Sequence, residues 1–284
     1  MIFAPRNRRE ISVNGDKMEI GISTASLFGR MYNEDAVRAI ENLGAKVCEV
    51  FLETYCEYTE EYASLINSRK TENLKVHSIH TLNTHFEPQL FSTCDRNRKD
   101  ALDIFENCLK TGKILGAKYY TLHGKARLKK NAVFTNYEEI GFYMNALTEL
   151  TEKYGMQLCL ENVEWAYYRE PGFFKSVKEY APKLCACLDV KQAREAGFDY
   201  NLYLEEMGDS LRTVHLSDVD EFGKIAIPSE KGLFDFEELF RKLKYNGFKG
   251  NCVIEIYKEN FKDIQELKCS LEYLTNIKDK IFKE

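Results

Sequence analysis

Short apolar runs alternate with amphipathic stretches along almost the whole chain. Eight runs of five to seven residues have the composition of strands, being apolar and often β-branched: Glu19–Ser23, Val47–Leu52, Leu74–His80, Tyr119–His123, Gln157–Glu161, Leu184–Asp189, Leu211–Leu216 and Asn251–Ile256. Strands covered on both faces read this way, whereas half-exposed strands alternate with polar residues. Helical stretches lie between them. Glu34–Leu43 stops at Gly44, Asp95–Leu115 at Gly116, Tyr137–Tyr154 at Gly155, and Phe234–Tyr245 just before Gly247. Glycine there supplies a left-handed helix end. Thr59–Ser68 opens on Glu60 and Glu61, which favour a first turn. Phe173–Tyr180 and Leu202–Met207 are shorter, and Asp263–Ile281 comes last. Eight strands alternating with helices predict a parallel α/β sheet, most simply closed as a single (β/α)8 TIM barrel over residues 18–284. Residues 1–17 are polar and read as a poorly ordered leader, with Met18 an alternative start.

Four of the later runs end in an ionisable residue: Leu160-Glu161, Leu188-Asp189, Val214-His215 and Ile254-Glu255. Charged groups at the ends of buried strands need a partner. They stand 28, 26 and 40 residues apart, one strand-helix unit each, with a longer loop (Asp218–Lys231) in the last interval. Parity sets Cys159 on the face of Glu161, Cys185 and Cys187 on that of Asp189, and Val253 on that of Glu255. Small side chains would then fill the barrel beneath a polar top layer, where the catalytic groups of such barrels lie. One such carboxylate could merely cap the next helix; four ionisable residues on successive strands point to a shared cation. Three carboxylates and an imidazole make a hard site suited to Mn²⁺, Mg²⁺ or Co²⁺, with Zn²⁺ also accommodated.

Composition narrows the picture only a little. A length of 284 residues holds one barrel with little left over, and a net charge of −5 disfavours nucleic acid as a partner. No apolar run approaches a membrane span, and no signal peptide is evident. Nine cysteines, several inside strands, read as reduced, buried thiols of a cytoplasmic protein, the Cys185-x-Cys187 pair being core filler.

The chain resembles the xylose isomerase-like barrel superfamily, which includes sugar epimerases, inosose-processing enzymes and endonuclease IV-type nucleases. The likeness rests on Leu160-Glu161-Asn162, Cys187-Leu188-Asp189, Val214-His215-Leu216-Ser217-Asp218 and Ile254-Glu255. Ser78-Ile79-His80 and Thr121-Leu122-His123-Gly124 also match, over residues 18–280. The resemblance implies a sugar or sugar-phosphate isomerase or epimerase that needs one divalent ion, Mn²⁺ first. Glu161, Asp189, His215 and Glu255 would be its ligands, and Glu161 and Glu255 the acid/base pair. One glutamate would remove the proton beside a carbonyl through a metal-stabilised enediolate, and the other would return it. The small-molecule substrate would be a sugar or its phosphate. Homo-oligomers are common in the superfamily, and no membrane or nucleic-acid partner is expected.

His80 and His123 match residues that bind a second metal in the nuclease branch; hydrogen bonding to a sugar hydroxyl is the preferred role here. His77 falls off His80's face, and His85 in a loop. The chain also departs from the family. Where nucleases and many epimerases carry Asp-x-x-His, it reads Asp189-Val190-Lys191-Gln192, so Gln192 could bond a hydroxyl but would ligate poorly. The late Asp-x-His of nucleases is missing from Gly223–Pro228, and Glu221 stands near the place of an epimerase arginine. Trp165, with Tyr167 and Tyr168, could stack on a sugar. Lys125, Arg127, Lys129 and Lys130 could hold a phosphate. The alternatives are an endonuclease IV-like abasic-site nuclease, an inosose dehydratase-like enzyme, or a polyol binder without turnover.

Overall fold

All eight apolar runs fold as barrel strands, each within two residues of its expected ends. A computed structural model describes residues 18–82, 86–127 and 135–283. The leader at 1–17, His85, Lys129 and Lys130 lie outside the described residues. The barrel strands are β1 (Ile20–Ser23), β2 (Val47–Leu52), β3 (Lys75–Thr81), β4 (Tyr119–Leu122), β5 (Gln157–Glu161), β6 (Cys185–Asp189) and β7 (Leu211–Leu216). A two-stranded antiparallel ribbon follows, β8 (Asp218–Val219) with β9 (Ile225–Ala226), and then the eighth barrel strand, β10 (Asn251–Ile254). The parallel strands hydrogen-bond in the order β1–β2–β3–β4–β5–β6–β7–β10, and β10 closes on β1. At that seam the Glu19 N–H donates to the side-chain oxygen of Asn251 at 2.8 Å.

The outer layer consists of α1 (Asn33–Asn42), α2 (Glu60–Arg69), α3 (Asp95–Leu115), α4 (Tyr137–Lys153), α5 (Phe173–Lys178), α6 (Val190–Glu195), α7 (Tyr200–Met207), α8 (Phe236–Tyr245) and α9 (Ile264–Lys283). The helix ends follow local chemistry. Thr59, Asn136 and Asp235 each accept an N–H of the first turn of α2, α4 and α8. The cap at Asp235 starts α8 two residues later than the apolar pattern alone predicts. Gly116 ends α3 with φ 75°, in the left-handed region where a Cβ is penalised. The main core packs the outward strand faces against the helices, while Cys159, Cys185 and Cys187 form a separate small cluster inside the barrel. All nine thiols are unpaired. No described helix is long and apolar enough to cross a membrane.

Strict alternation misplaces His77. The β2–β3 register runs Cys48 with Val76 and then Glu49 with Ser78, skipping His77. Such a bulge resets the faces. His77 therefore also points inward, where its Nε2 is 3.0 Å from Thr213 Oγ1 on the opposite side of the barrel, and its Nδ1 faces Asn251.

The long loop after β7 is gathered by one buried carboxylate. Asp218 accepts N–H groups from Val219, Ser229 and Phe234 at 2.7, 3.2 and 2.9 Å. Gly232 presses against it so closely that a Cβ would stand 1.7 Å from Asp218 Oδ2. Gly232→Ala is expected to destabilise the protein by about 1–3 kcal/mol, the usual cost of overpacking a fixed site. Urea unfolding measures this, and a midpoint unchanged from wild type would refute it.

Candidate metal centre

The closed sheet brings the four strand-end residues to one point. Glu161 and Asp189 are the last residues of β5 and β6, His215 is one residue from the end of β7, and Glu255 immediately follows β10. These strands are consecutive around the barrel. One ligand atom from each of the four lies within 4.8 Å of those of the other three. His215 Nδ1 is the hub: it is 2.9 Å from Glu161 Oε1, 3.1 Å from Glu255 Oε2 and 4.0 Å from Asp189 Oδ2. Asn162 fixes the β5–β6 edge, donating to the Asp189 carbonyl at 2.9 Å and accepting the Asp189 N–H at 2.8 Å. Asp189 Oδ1 meanwhile caps α6 by accepting the Gln192 N–H.

Burial and neighbouring charge oppose each other here. Burial raises Glu161, but the His215 hydrogen bond and the surrounding imidazoles outweigh it and hold the carboxyl at about 2. Burial pushes Asp189 and Glu255 up. His80 is opposed by burial yet carried to about 9 by Glu49, Glu161 and Glu255.

A second group adjoins the first. His80 Nε2 and His123 Nε2 are 2.9 Å apart, and lie 3.7 and 3.9 Å from Glu161 Oε2. Glu87 orients His123, with Oε2 2.9 Å from Nδ1, and also accepts the His123 N–H. Trp165 lies beside them, its ring centroid 5.3 Å from that of His123. Gln192 sits next to the site, but its side-chain oxygen already accepts the Glu164 N–H. The Lys125 ammonium lies over the Tyr167 ring, 5.2 Å from its centroid. The loops carrying Lys125 and Trp165 are laced together, Arg127 N–H to Trp165 carbonyl and Tyr167 N–H to Lys125 carbonyl.

Three buried ionisable groups come to the site from outside the strand-end pattern. Glu49, in the middle of β2, is fully buried. Glu87 follows β3, and Lys191 lies in the first turn of α6 with Nζ 3.6 Å from Asp189 Oδ2 and 4.3 Å from the Tyr257 ring centroid. A charged residue within an apolar strand is the signal that could reveal Glu49.

The donor set fits a divalent cation. Three carboxylates crowd one point with an imidazole among them, and Glu255 Oε2 and His80 Nδ1 are buried without a hydrogen-bond partner. Oxygen-rich donors with one imidazole suit Mn²⁺, Mg²⁺, Co²⁺ or Zn²⁺.

The family profile of xylose isomerase-like TIM barrels matches residues 37–277. Among solved structures, a D-tagatose 3-epimerase-like protein aligns over 94% of this chain and 99% of its own, with TM-score 0.75 and 17% identity. The E. coli 3-keto-D-glucoside 4-epimerase, in its apo form, aligns over 92% and 100%, with TM-score 0.72 and 18% identity. An L-ribulose 3-epimerase aligns over 94% and 96%, with TM-score 0.71 and 15% identity. No curated protein matches the chain in sequence. At such identities the structural likeness speaks to the fold.

Proposed function

Because this chain belongs to the xylose isomerase-like TIM barrel family, we propose that it is a divalent-metal-dependent sugar or sugar-phosphate isomerase or epimerase. The convergence of Glu161, Asp189, His215 and Glu255 within 4.8 Å carries this reading. Mn²⁺ is the favoured ion. When bound, such an ion would polarise a carbonyl and stabilise negative charge developing on its oxygen.

The protein groups would do the rest. Glu161 and Glu255 approach His215 from strands three apart in the sheet, with β6 and β7 between them, so one can take the proton beside the carbonyl while the other returns it. Return to the opposite face of the same carbon inverts it; return to the neighbouring carbon interconverts aldose and ketose. Asp189 and His215 would hold the ion, with Asp189 steadied by Asn162. His80 and His123 would face the substrate's hydroxyls, and Trp165 beside them would cover an apolar sugar face. Lys125 and Gln192 would be further substrate contacts. The solved structures cited above, two named as epimerases and one as epimerase-like, support the assignment.

One observation favours a second reading. His80, His123 and Glu161 could themselves hold an ion, as an abasic-site nuclease would require. Gln192 in place of a histidine, and the net charge of −5, weigh against it.

A panel of ketoses and ketose phosphates with Mn²⁺, followed by NMR in D₂O, tests the proposal. Deuterium is expected at the carbon next to the carbonyl of one substrate, with a new epimer or aldose. No exchange across the panel, together with nicking of an abasic duplex, would transfer the assignment to the nuclease class.

A further inference from the structure

Glu49 lies under the cluster just described and is unused by the proposed chemistry. Its carboxylate is surrounded by donors from four strands. Oε1 accepts Ser23 Oγ–H at 3.2 Å, and Oε2 accepts Ser78 Oγ–H at 2.7 Å and Thr121 Oγ1–H at 3.1 Å. His215 Nε2 is 3.2 Å from Oε1 and 3.3 Å from Oε2. His80 Nδ1 is 3.6 Å from Oε1. With its acceptor directions filled by hydroxyls and imidazole, this carboxylate has little left for a cation.

The geometry at His215 gives it a task. One ring nitrogen, Nδ1, faces Glu161, Asp189 and Glu255, while the other, Nε2, faces Glu49. An imidazole that offers one nitrogen to a metal carries its proton on the other, and an acceptor there fixes both tautomer and ring orientation. Resting on the cation-binding reading above, we infer that Glu49 is a positioning residue that holds His215 in the orientation and tautomer a metal ligand requires. Glu49 accepts the Nε2 proton of His215 and leaves the Nδ1 lone pair toward the strand-end carboxylates. His80 Nδ1 lies 3.6 Å from the same carboxylate without a hydrogen bond to it, while its Nε2 faces His123 and Glu161. Ser23, Ser78 and Thr121 pin the carboxylate itself, so its aim is set by β1, β3 and β4, on the side of the barrel away from β6 and β7.

The test compares wild type with Glu49→Gln, which keeps the shape and loses the charge. Mn²⁺ affinity is read by calorimetry, and the His215 tautomer by ¹⁵N NMR of the wild-type protein loaded with diamagnetic Zn²⁺. Mn²⁺ binding is expected to weaken about 10–100-fold in the variant, the usual effect of losing such a partner. His215 in the wild type is expected to show a proton on Nε2 and the metal on Nδ1. A variant that binds Mn²⁺ within twofold of wild type overturns the inference. So does a His215 proton on Nδ1, which decides the matter even if the variant fails to fold. Anomalous scattering that places Mn²⁺ on the Glu49 oxygens would also overturn it. A wild-type protein that binds neither ion would instead sink the function proposed above, so the two failures are distinguishable.

Discussion

Glu161→Gln and Glu255→Gln are each expected to abolish turnover. General acid–base catalysis alone accounts for about 10²–10⁴ in rate, and each glutamate also supplies a ligand atom to the cluster. The amide keeps the size of either residue and removes both its basicity and its charge. The loss at Glu161 should be the more complete. Its Oε1 sits 2.9 Å from His215, and its Oε2 faces His80 and His123 at 3.7 and 3.9 Å, so three imidazoles lose a counter-charge together. Glu255 has two contacts of this kind, to His215 at 3.1 Å and to His80 at 3.9 Å, against three for Glu161. Deuterium incorporation into a responsive ketose is the direct assay. Activity near that of wild type in either variant would remove the mechanism.

Loading with Mn²⁺ is expected to stabilise the protein substantially, and more so at higher pH. An ion that binds only the folded state adds about 2.7 kcal/mol at a hundredfold excess over its Kd. For a domain of this size that amounts to roughly 5–10 °C in Tm. The pH dependence follows from the histidines. Burial disfavours charge on His215, but neighbouring anionic groups, Glu255 and Glu49 among them, raise it well above its ordinary value; His80 is raised to about 9. Without the ion both rings are biased toward the cationic form. A cation at His215 Nδ1 must displace a proton, so affinity should rise from pH 6 to pH 9, with proton release on binding. Calorimetry in buffers of different ionisation enthalpy counts the protons. Elemental analysis should find about one ion per chain. Affinity that falls as pH rises would contradict the ligand assignment, and three ions would favour the nuclease class.

Much of this architecture is legible in the residues because a sheet covered on both faces leaves an unusually plain trace. Leu158–Leu160 and Leu184–Leu188 are unbroken apolar runs, and β5 and β6 run through them. Glu161 and Asp189 stand out because the charge arrives where the apolar run stops. Glu49 carries a similar mark in the middle of its run, where alternation would equally allow a side chain facing water. Lys191 is hidden for another reason. The six-residue helix α6 begins directly after Asp189, where the apolar pattern predicts no helix. Its first turn folds the lysine back against the carboxylate it follows. The inward turn of His77 depends on a bulge, which alternation along a single strand cannot reveal.

Asn251 and Glu19 tie β10 to β1, and Glu255 comes one residue after β10. The four donors therefore enter in chain order, and the last belongs to the seam. During synthesis on a ribosome, the first three could stand together on an open ribbon of strands before the fourth had emerged. Full coordination is reserved for the finished cylinder, so a captured ion would act as a latch.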